Sequence, residues 1–227
     1  MRRALAGLLV ALFHSVATAQ LSGTASVLSD YRYRGVSLSD NKPAIQLGLA
    51  YDDPNGWYAG LFASSVRYTE PSERGVQAIY YVGHAWRTAA GQSFEAGASY
   101  SIVSGERGYD YPEVFVGFTA DPVSARLYYS PRYAGYDADT LYAEVNAAQA
   151  LADRVRLLAH VGVLRSPVSD LYFYRPDYVV DGRVGLAIAF DRFSVQLAWV
   201  GISSSAAYPF DLTRHRNTAV IVLSTAF

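Results

Sequence analysis

The feature that most constrains this chain is an alternation of side-chain size with a period of two. In FEAGASYSI, Phe94, Ala96, Ala98, Tyr100 and Ile102 share one face while Glu95, Gly97, Ser99 and Ser101 share the other, because neighbours on a strand point to opposite sides. RVGLAIAF sets Val184, Leu186, Ile188 and Phe190 against Arg183, Gly185, Ala187 and Ala189. FSVQLAW sets Phe193, Val195, Leu197 and Trp199 against Ser194, Gln196 and Ala198. The pattern returns at 45–51, 114–118, 141–147 and 155–163. Segments near 22–36, 57–68, 76–87 and 124–133 alternate less strictly but are rich in Tyr, Val, Trp and Phe, and with 218–227 they bring the strands to twelve. Most have about the 9 to 11 residues that a tilted strand needs to cross a bilayer, and an even count is what a single-chain bacterial barrel requires.

Small and polar groups opposite bulky apolar ones suit either a soluble sandwich or a transmembrane barrel. The sandwich puts bulk inside; the barrel puts it outside. The connections separate the two. Those after even-numbered strands are short: DDPNG at 52–56, TAAGQ at 88–92, DPV at 121–123, LAD at 151–153 and DR at 191–192. Those after odd-numbered strands are longer and more polar, at 37–42, 69–75, 104–110, 134–139, 166–177 and 203–217. Short periplasmic turns and long extracellular loops are the asymmetry of an outer-membrane barrel. No segment after the leader approaches 18 consecutive apolar residues, so a closed barrel is the remaining way to satisfy the backbone within lipid.

The leader itself is MRRALAGLLVALFHSVATAQ. Arg2 and Arg3, an apolar stretch from Ala4 to Val16 interrupted by His14 and Ser15, and Ala17-Thr18-Ala19 are the three parts of a secretory signal peptide, with cleavage expected after Ala19. The alternative, a membrane anchor, needs about 20 apolar residues. The expected organisation is therefore a signal peptide at 1–19 and one barrel domain at 20–227. Removing Arg2 and Arg3 takes the formal net charge from −1 to −3, which points to no nucleic-acid partner. There is no cysteine, hence no disulfide framework and no thiolate metal site. Nineteen tyrosines and three tryptophans suit pleated surfaces and membrane boundaries.

The chain ends AVIVLSTAF. Ala219, Ile221, Leu223, Thr225 and Phe227 are expected to form one lipid-facing row of the closing strand, with Phe227 in the aromatic girdle at the periplasmic rim. Two stretches carry a family resemblance: SDYRYRGVSLSDNKPAIQLGLAYDDPNGWYAG at 29–60 and YSPRYAG at 129–135. They resemble a proteobacterial outer-membrane barrel family of largely unknown function, often labelled TorF-type porins. The resemblance covers most of the chain after the leader, and Ser29-Asp30-Tyr31-Arg32-Tyr33-Arg34-Gly35 is its most specific part. It implies an outer-membrane barrel and supplies no catalytic residues. A terminal aromatic strand likewise resembles the signal that such barrels present to their assembly machinery.

With these faces, the lumen is expected to receive Asp30, Arg32, Arg34, Arg67, Glu95, Glu113, Arg126, Glu144, Arg156, Asp181 and Arg183. A charge on the lipid face costs up to about 2 to 4 kcal/mol at the midplane. Six arginines against five carboxylates allow two readings. In one, they set up a transverse field across a wet pore that orients small polar solutes. In the other, they pair and fill the interior, since eight strands leave room only for side chains and sixteen leave a channel. The first reading is preferred: passive permeation of small polar solutes across the outer membrane of a Gram-negative bacterium. A non-conducting structural or surface-interaction barrel displaying 166–177 and 203–217 is the alternative, and a lipid-acting enzyme is a further one.

Catalytic signals are weak. After the leader the histidines are His84 beside Trp86, inward-facing His160, and His215. Ser99 or Ser101 with His160 lacks any local hydrolase motif. The loop carboxylates Glu70, Glu73, Asp137 and Asp139 lack calcium-loop spacing, and RTAAGQ lacks the glycines and lysine of a phosphate loop. Neither an enzymatic activity nor a cofactor or metal is expected; the expected partners are membrane lipid, the assembly machinery and small solutes. Tyr111 and Tyr142 are placed in the lumen.

Overall fold

A computed structural model describes residues 20–67, 74–105, 107–135, 139–165, 178–204 and 216–227. The leader at 1–19, the loop at 166–177 and most of the loop at 203–217 lie outside these residues, as do Glu70, Glu73, Asp137 and His215.

Twelve strands close into one antiparallel barrel: β1 (Gln20–Leu28), β4 (Ala44–Asp52), β5 (Trp57–Arg67), β6 (Arg74–Arg87), β7 (Ser93–Val103), β8 (Tyr111–Ala120), β9 (Val123–Ser130), β10 (Thr140–Ala152), β11 (Val155–Arg165), β12 (Tyr178–Ala189), β13 (Ser194–Ile202) and β14 (Asn217–Ala226). Each pairs with its neighbour in sequence, and β1 closes the ring on β14 with Thr24 opposite Ala226 and Leu28 opposite Val222. One further pair completes the seam: Gly23 N–H donates to Phe227 O at 2.8 Å and Phe227 N–H to Gly23 O at 3.0 Å. The phenyl ring lies where a Cβ on Gly23 would stand, so that position takes no larger side chain.

The barrel turns its bulk outward. Leu47, Val82, Val116, Leu197, Trp199 and Ile221 are all about half exposed, and the expected row of Ala219, Ile221, Leu223, Thr225 and Phe227 is exposed throughout. Aromatic residues cluster at the short-turn end: Trp57 meets His84 edge-on at 4.9 Å, His84 meets Trp86 at 4.6 Å, Phe94 meets Phe118 at 5.1 Å, and Phe190 stacks on Phe193 at 4.6 Å. Tyr100, Tyr129 and Tyr178 are exposed at the opposite end. Two rings of aromatic side chains around an apolar band are the outer surface of a transmembrane barrel.

The structure corrects the sequence reading at the first strand. Residues 22–36 are not one strand: β1 stops at Leu28, and residues 29–43 turn into the barrel as a loop carrying a short hairpin, β2 (Arg32–Tyr33) and β3 (Val36–Ser37). The hairpin turns at Arg34 and Gly35, with φ of 48° and 78°. Both central residues of a type I′ turn need positive φ, and the alternating Asp-Tyr-Arg-Tyr-Arg pattern concealed this. Asp40 and Asn41, with φ of 57° and 53°, reverse the chain again towards β4.

Outward and inward faces predict opposite responses to charge. Leu197→Arg, on the outer face of β13, is expected to destabilise the barrel in liposomes by about 2 to 4 kcal/mol, whereas Gln196→Arg, one residue away and facing the lumen, is expected to be close to neutral. Urea unfolding of both variants measures the difference.

Candidate functional site

The inward loop is built around one carboxylate. Asp30 Oδ1 accepts from Ser37 Oγ at 2.6 Å and Ser39 Oγ at 3.0 Å, and Oδ2 accepts from Arg32 Nε at 2.7 Å. Arg32 then reaches Gly35 O and Asn41 Oδ1, each at 3.1 Å, so that one guanidinium spans both turns of the loop. Asp30 and Arg32 are nearly inaccessible at their side chains, 6% and 3%, and the pairing and hydrogen bonds together make that burial tolerable. The loop is tied to the wall by Arg67 N–H donating to Leu38 O at 2.8 Å and by Tyr31 OH donating to Gln77 Oε1 at 2.8 Å.

Its apolar side chains form the interior of the molecule. Tyr31, Val36 and Leu38 pack in one buried cluster with Leu28, Val66, Val103, Tyr111, Leu164, Val179 and Ile202, which come from β1, β5, β7, β8, β11, β12 and β13. Gln77 of β6 and Ser130 of β9 are fully buried as well. Inward residues at this level would be wet in an open pore; here they are dry, and the loop forms a septum across the loop end of the barrel.

Arg34 fixes the tip. Its Nη2 donates to both carboxylate oxygens of Glu113, at 2.9 and 3.0 Å. Its guanidinium carbon lies 4.1 Å from the ring centroid of Tyr142 and 5.1 Å from those of Tyr33, Tyr128 and Tyr133. Nη1 is buried with no hydrogen-bond acceptor, so the ring faces are its compensation. Tyr133 arrives here because residues 133–135 form a tight turn with Ala134 and Gly135 in the left-handed region, at φ of 52° and 84°. The two stretches singled out in the sequence, 29–35 and 129–135, are thus brought together.

Below the septum lies a cavity of about 970 Å³ that runs to the short-turn end. Six carboxylates (Asp30, Asp52, Glu95, Glu113, Glu144, Asp181) and four arginines (Arg32, Arg34, Arg126, Arg183) line it. Arg126 Nε bonds Glu95 at 2.5 Å, and Tyr58 OH donates to the other Glu95 oxygen at 2.6 Å. Glu144 lies directly across from Arg126 in the β9–β10 register, yet Arg126 turns to Glu95, and Glu144 has no ion pair among the described residues. Asp181 takes His160 Nε2 at 2.8 Å and Tyr142 OH at 3.1 Å, while His160 Nδ1 meets Asn146 Oδ1 at 2.8 Å. Arg183 also lacks an ion pair among the described residues.

Of the lumenal set read from the sequence, Arg67 and Arg156 do not line this cavity. Arg67 has the parity of Trp57 on an unbroken β5 register, hence of the outer row, and stands at the loop end where a cation reaches the headgroup level. Arg156 shares the inner row with His160 but sits by the turn at 153–154. Asp30, Arg32 and Arg34 reach the lumen from the loop, not from a strand. The sequence reading missed inward Tyr58, Tyr81 and Phe115. The signal for them was glycine: Gly83, Gly60 and Gly97 are their direct cross-strand partners, and each ring occupies the space a Cβ would need. His160 takes Asn146, Tyr142 and Asp181 as partners rather than Ser99 or Ser101. Among the described residues no group of three or more His, Cys, Asp or Glu side chains is placed to hold a metal ion.

A family model for bacterial proteins of unknown function, Gcw_chp, matches residues 14–227. The chain belongs to the Gcw_chp family. No curated protein matches its sequence. Among solved structures, this Gcw_chp barrel is similar to the NanC porin at a TM-score of 0.57 and 9% identity, over 92% of this chain and 99% of that one. It is similar to the KdgM porin at a TM-score of 0.51 and 11% identity, over 92% and 98%. Both likenesses are of fold: a twelve-stranded barrel of porin type.

Gly35 has Asp181 Cβ and Ile202 Cβ at 2.7 and 3.0 Å from where its own Cβ would stand, at positive φ. Gly35→Val is therefore expected to push the loop off the wall at a cost of about 1 to 3 kcal/mol. Hydrogen exchange should rise across 31–42 while the strands keep their protection.

Proposed function

We propose that this chain is an outer-membrane channel of a Gram-negative bacterium, exported by its leader, which passes small polar solutes and rests closed at its loop end. The observation that carries the reading is the charged cavity of about 970 Å³ beneath a septum made by the inward loop 29–43 with Tyr133 and Ala134 beside it. A barrel that served only as a scaffold has no need to keep six carboxylates and four arginines around a wet interior, since each costs desolvation unless solvated or paired. The resemblance of 29–60 and 129–135 to TorF-type porins supports the same reading, and the porin-type fold agrees with it. Lipid meets the outer face, and β14 with Phe227 is the element that the assembly machinery would engage.

The charge balance gives the channel a preference. Arg32, Arg34 and Arg126 are neutralised by Asp30, Glu113 and Glu95. Arg183 is left to face Glu144, Asp52 and the His160-bound Asp181. The lumen is net acidic, and a constriction of this sign favours cations. The septum itself favours a second reading, a permanently closed barrel that displays its loops.

Planar-bilayer recording on the purified, refolded barrel tests both. Channel openings should be brief and prefer potassium to chloride. Glu144→Gln should lower that preference and Arg183→Gln raise it, each by about twofold. Silence in the native chain and in a variant lacking residues 30–42 would support the closed barrel instead.

A further inference from the structure

Most of the cage around Arg34 belongs to the barrel wall. Glu113 stands on β8, Tyr128 on β9 and Tyr142 on β10, with Tyr133 on the turn that follows β9; only Tyr33 comes from the loop. A carboxylate beneath a guanidinium with ring faces around it is a recognition site for a planar organic cation. Glu113, Tyr128, Tyr142 and Arg34 also line the cavity, so the site borders the lumen, and Arg34 itself is what covers Glu113 and Tyr142 from it. The surplus of carboxylates along that cavity concentrates cations in front of it.

The residue that fills the site does so at some expense. Arg34 is a non-glycine residue at φ 48°, its side chain is 7% accessible, and one of its nitrogens lacks an acceptor. Left-handed backbone at a non-glycine residue persists where surrounding contacts impose it, and here those contacts are the cage. Beyond the cage, the loop is held by an apolar cluster, by Tyr31 on Gln77 and by Arg67 N–H on Leu38 O; the ion pair between the loop and the wall is Arg34 on Glu113, so among the described residues the tip is where a dissolved cation can compete with the loop for a group of the wall.

We propose that Glu113, Tyr128, Tyr133 and Tyr142 form a guanidinium-binding site that Arg34 occupies as a tethered ligand, and that a soluble guanidinium compound displaces Arg34 and loosens the septum. The inference rests on the channel reading only for its consequence, opening; the binding site stands on its own geometry. A free guanidinium can take the same bonds to Glu113 and ring faces as Arg34 without requiring the left-handed turn. The loop must then leave the cage, since both cannot fill it. Ammonium ions fit less well, because they lack the planar face that stacks on Tyr142.

Hydrogen exchange of the full-length barrel in detergent micelles, with methylguanidinium chloride compared against sodium chloride and methylammonium chloride at equal ionic strength, tests this. Methylguanidinium, kept far below denaturing concentration, should speed exchange at residues 31–37 by roughly tenfold relative to sodium, with methylammonium between them and the strands unaffected. Arg34→Ala should exchange fast without any added cation and lose the response; Glu113→Gln should bind methylguanidinium more weakly. Unboiled electrophoretic mobility checks that each variant is a closed barrel. Equal exchange in the three salts would overturn the site, even if Arg34→Ala conducts in a bilayer. Faster exchange with no rise in conductance would uphold the site and overturn opening as its consequence, whereas silence that extends to the variant lacking residues 30–42 would sink the channel reading alone.

Discussion

Twelve strands enclose more space than their own inward side chains can fill. An eight-stranded barrel packs its interior with its wall, and one of sixteen or more leaves an aqueous bore. This barrel lies between, and the surplus space is divided lengthwise: a loop of fifteen residues, 29–43, fills the loop end, and water is left the turn end. Much else in the structure follows from that division. Tyr31, Val36 and Leu38 must be apolar to meet Val66, Leu164 and Ile202. The backbone of an irregular segment buried inside a barrel must find partners within itself or the wall: Ser39 accepts from Tyr31 N–H and donates to Lys42 O, Ser37 accepts from Asn41 N–H, and Arg32 donates to Gly35 O, while the Asp30 carboxylate holds those three side chains in place.

The wall was legible in the sequence because its rule is local. Alternation at 94–102, 183–190 and 193–199 declared which side chains share a face, and the unequal connections declared which end carries turns. The closing strand was legible for the same reason. The loop was not, because its pattern imitates the wall: Asp30, Tyr31, Arg32, Tyr33 and Arg34 alternate in character as strand residues do. What betrays the loop is the demand for positive φ at Arg34-Gly35 and Asp40-Asn41. An arginine before a glycine is a weak sign of a type I′ turn beside the usual Asn-Gly, whereas Asp40-Asn41 in SLSDNKP is a turn signal that was assigned only to the connection. Arg67 was misplaced by charge alone, where its parity with Trp57 would have corrected it.

The tyrosines belong to two populations that composition cannot separate. Tyr100, Tyr129 and Tyr178 are exposed at the outer rim; Tyr58, Tyr81, Tyr128 and Tyr142 line the cavity and Tyr111 is buried in the septum. An inward ring needs a neighbour with no side chain, and the glycines opposite Tyr58, Tyr81 and Phe115 provide it. A glycine on the lumenal parity of a strand is thus as informative as the ring it accommodates. The principle extends to Glu95, whose cross-strand partner is Gly117 and whose side chain lies over it on the way to Arg126.

The ion pairs of the interior are arranged by depth. Asp30–Arg32 and Arg34–Glu113 lie in the dry septum, with side chains no more than 7% accessible, while Arg126 in the cavity is 42% accessible and its pair with Glu95 is correspondingly screened. Removing one partner of a dry pair leaves a buried charge and costs about 3 to 5 kcal/mol, whereas a wet pair contributes about 1 or less. The septum is therefore where electrostatics holds structure, and the cavity is where charge is left over to act on solutes. Arg34 stands on the boundary between them. Its pair with Glu113 is dry enough to be strong, while its cage opens on the wet side, and this is the position from which a loop can be both secure in the absence of a competing cation and responsive to one.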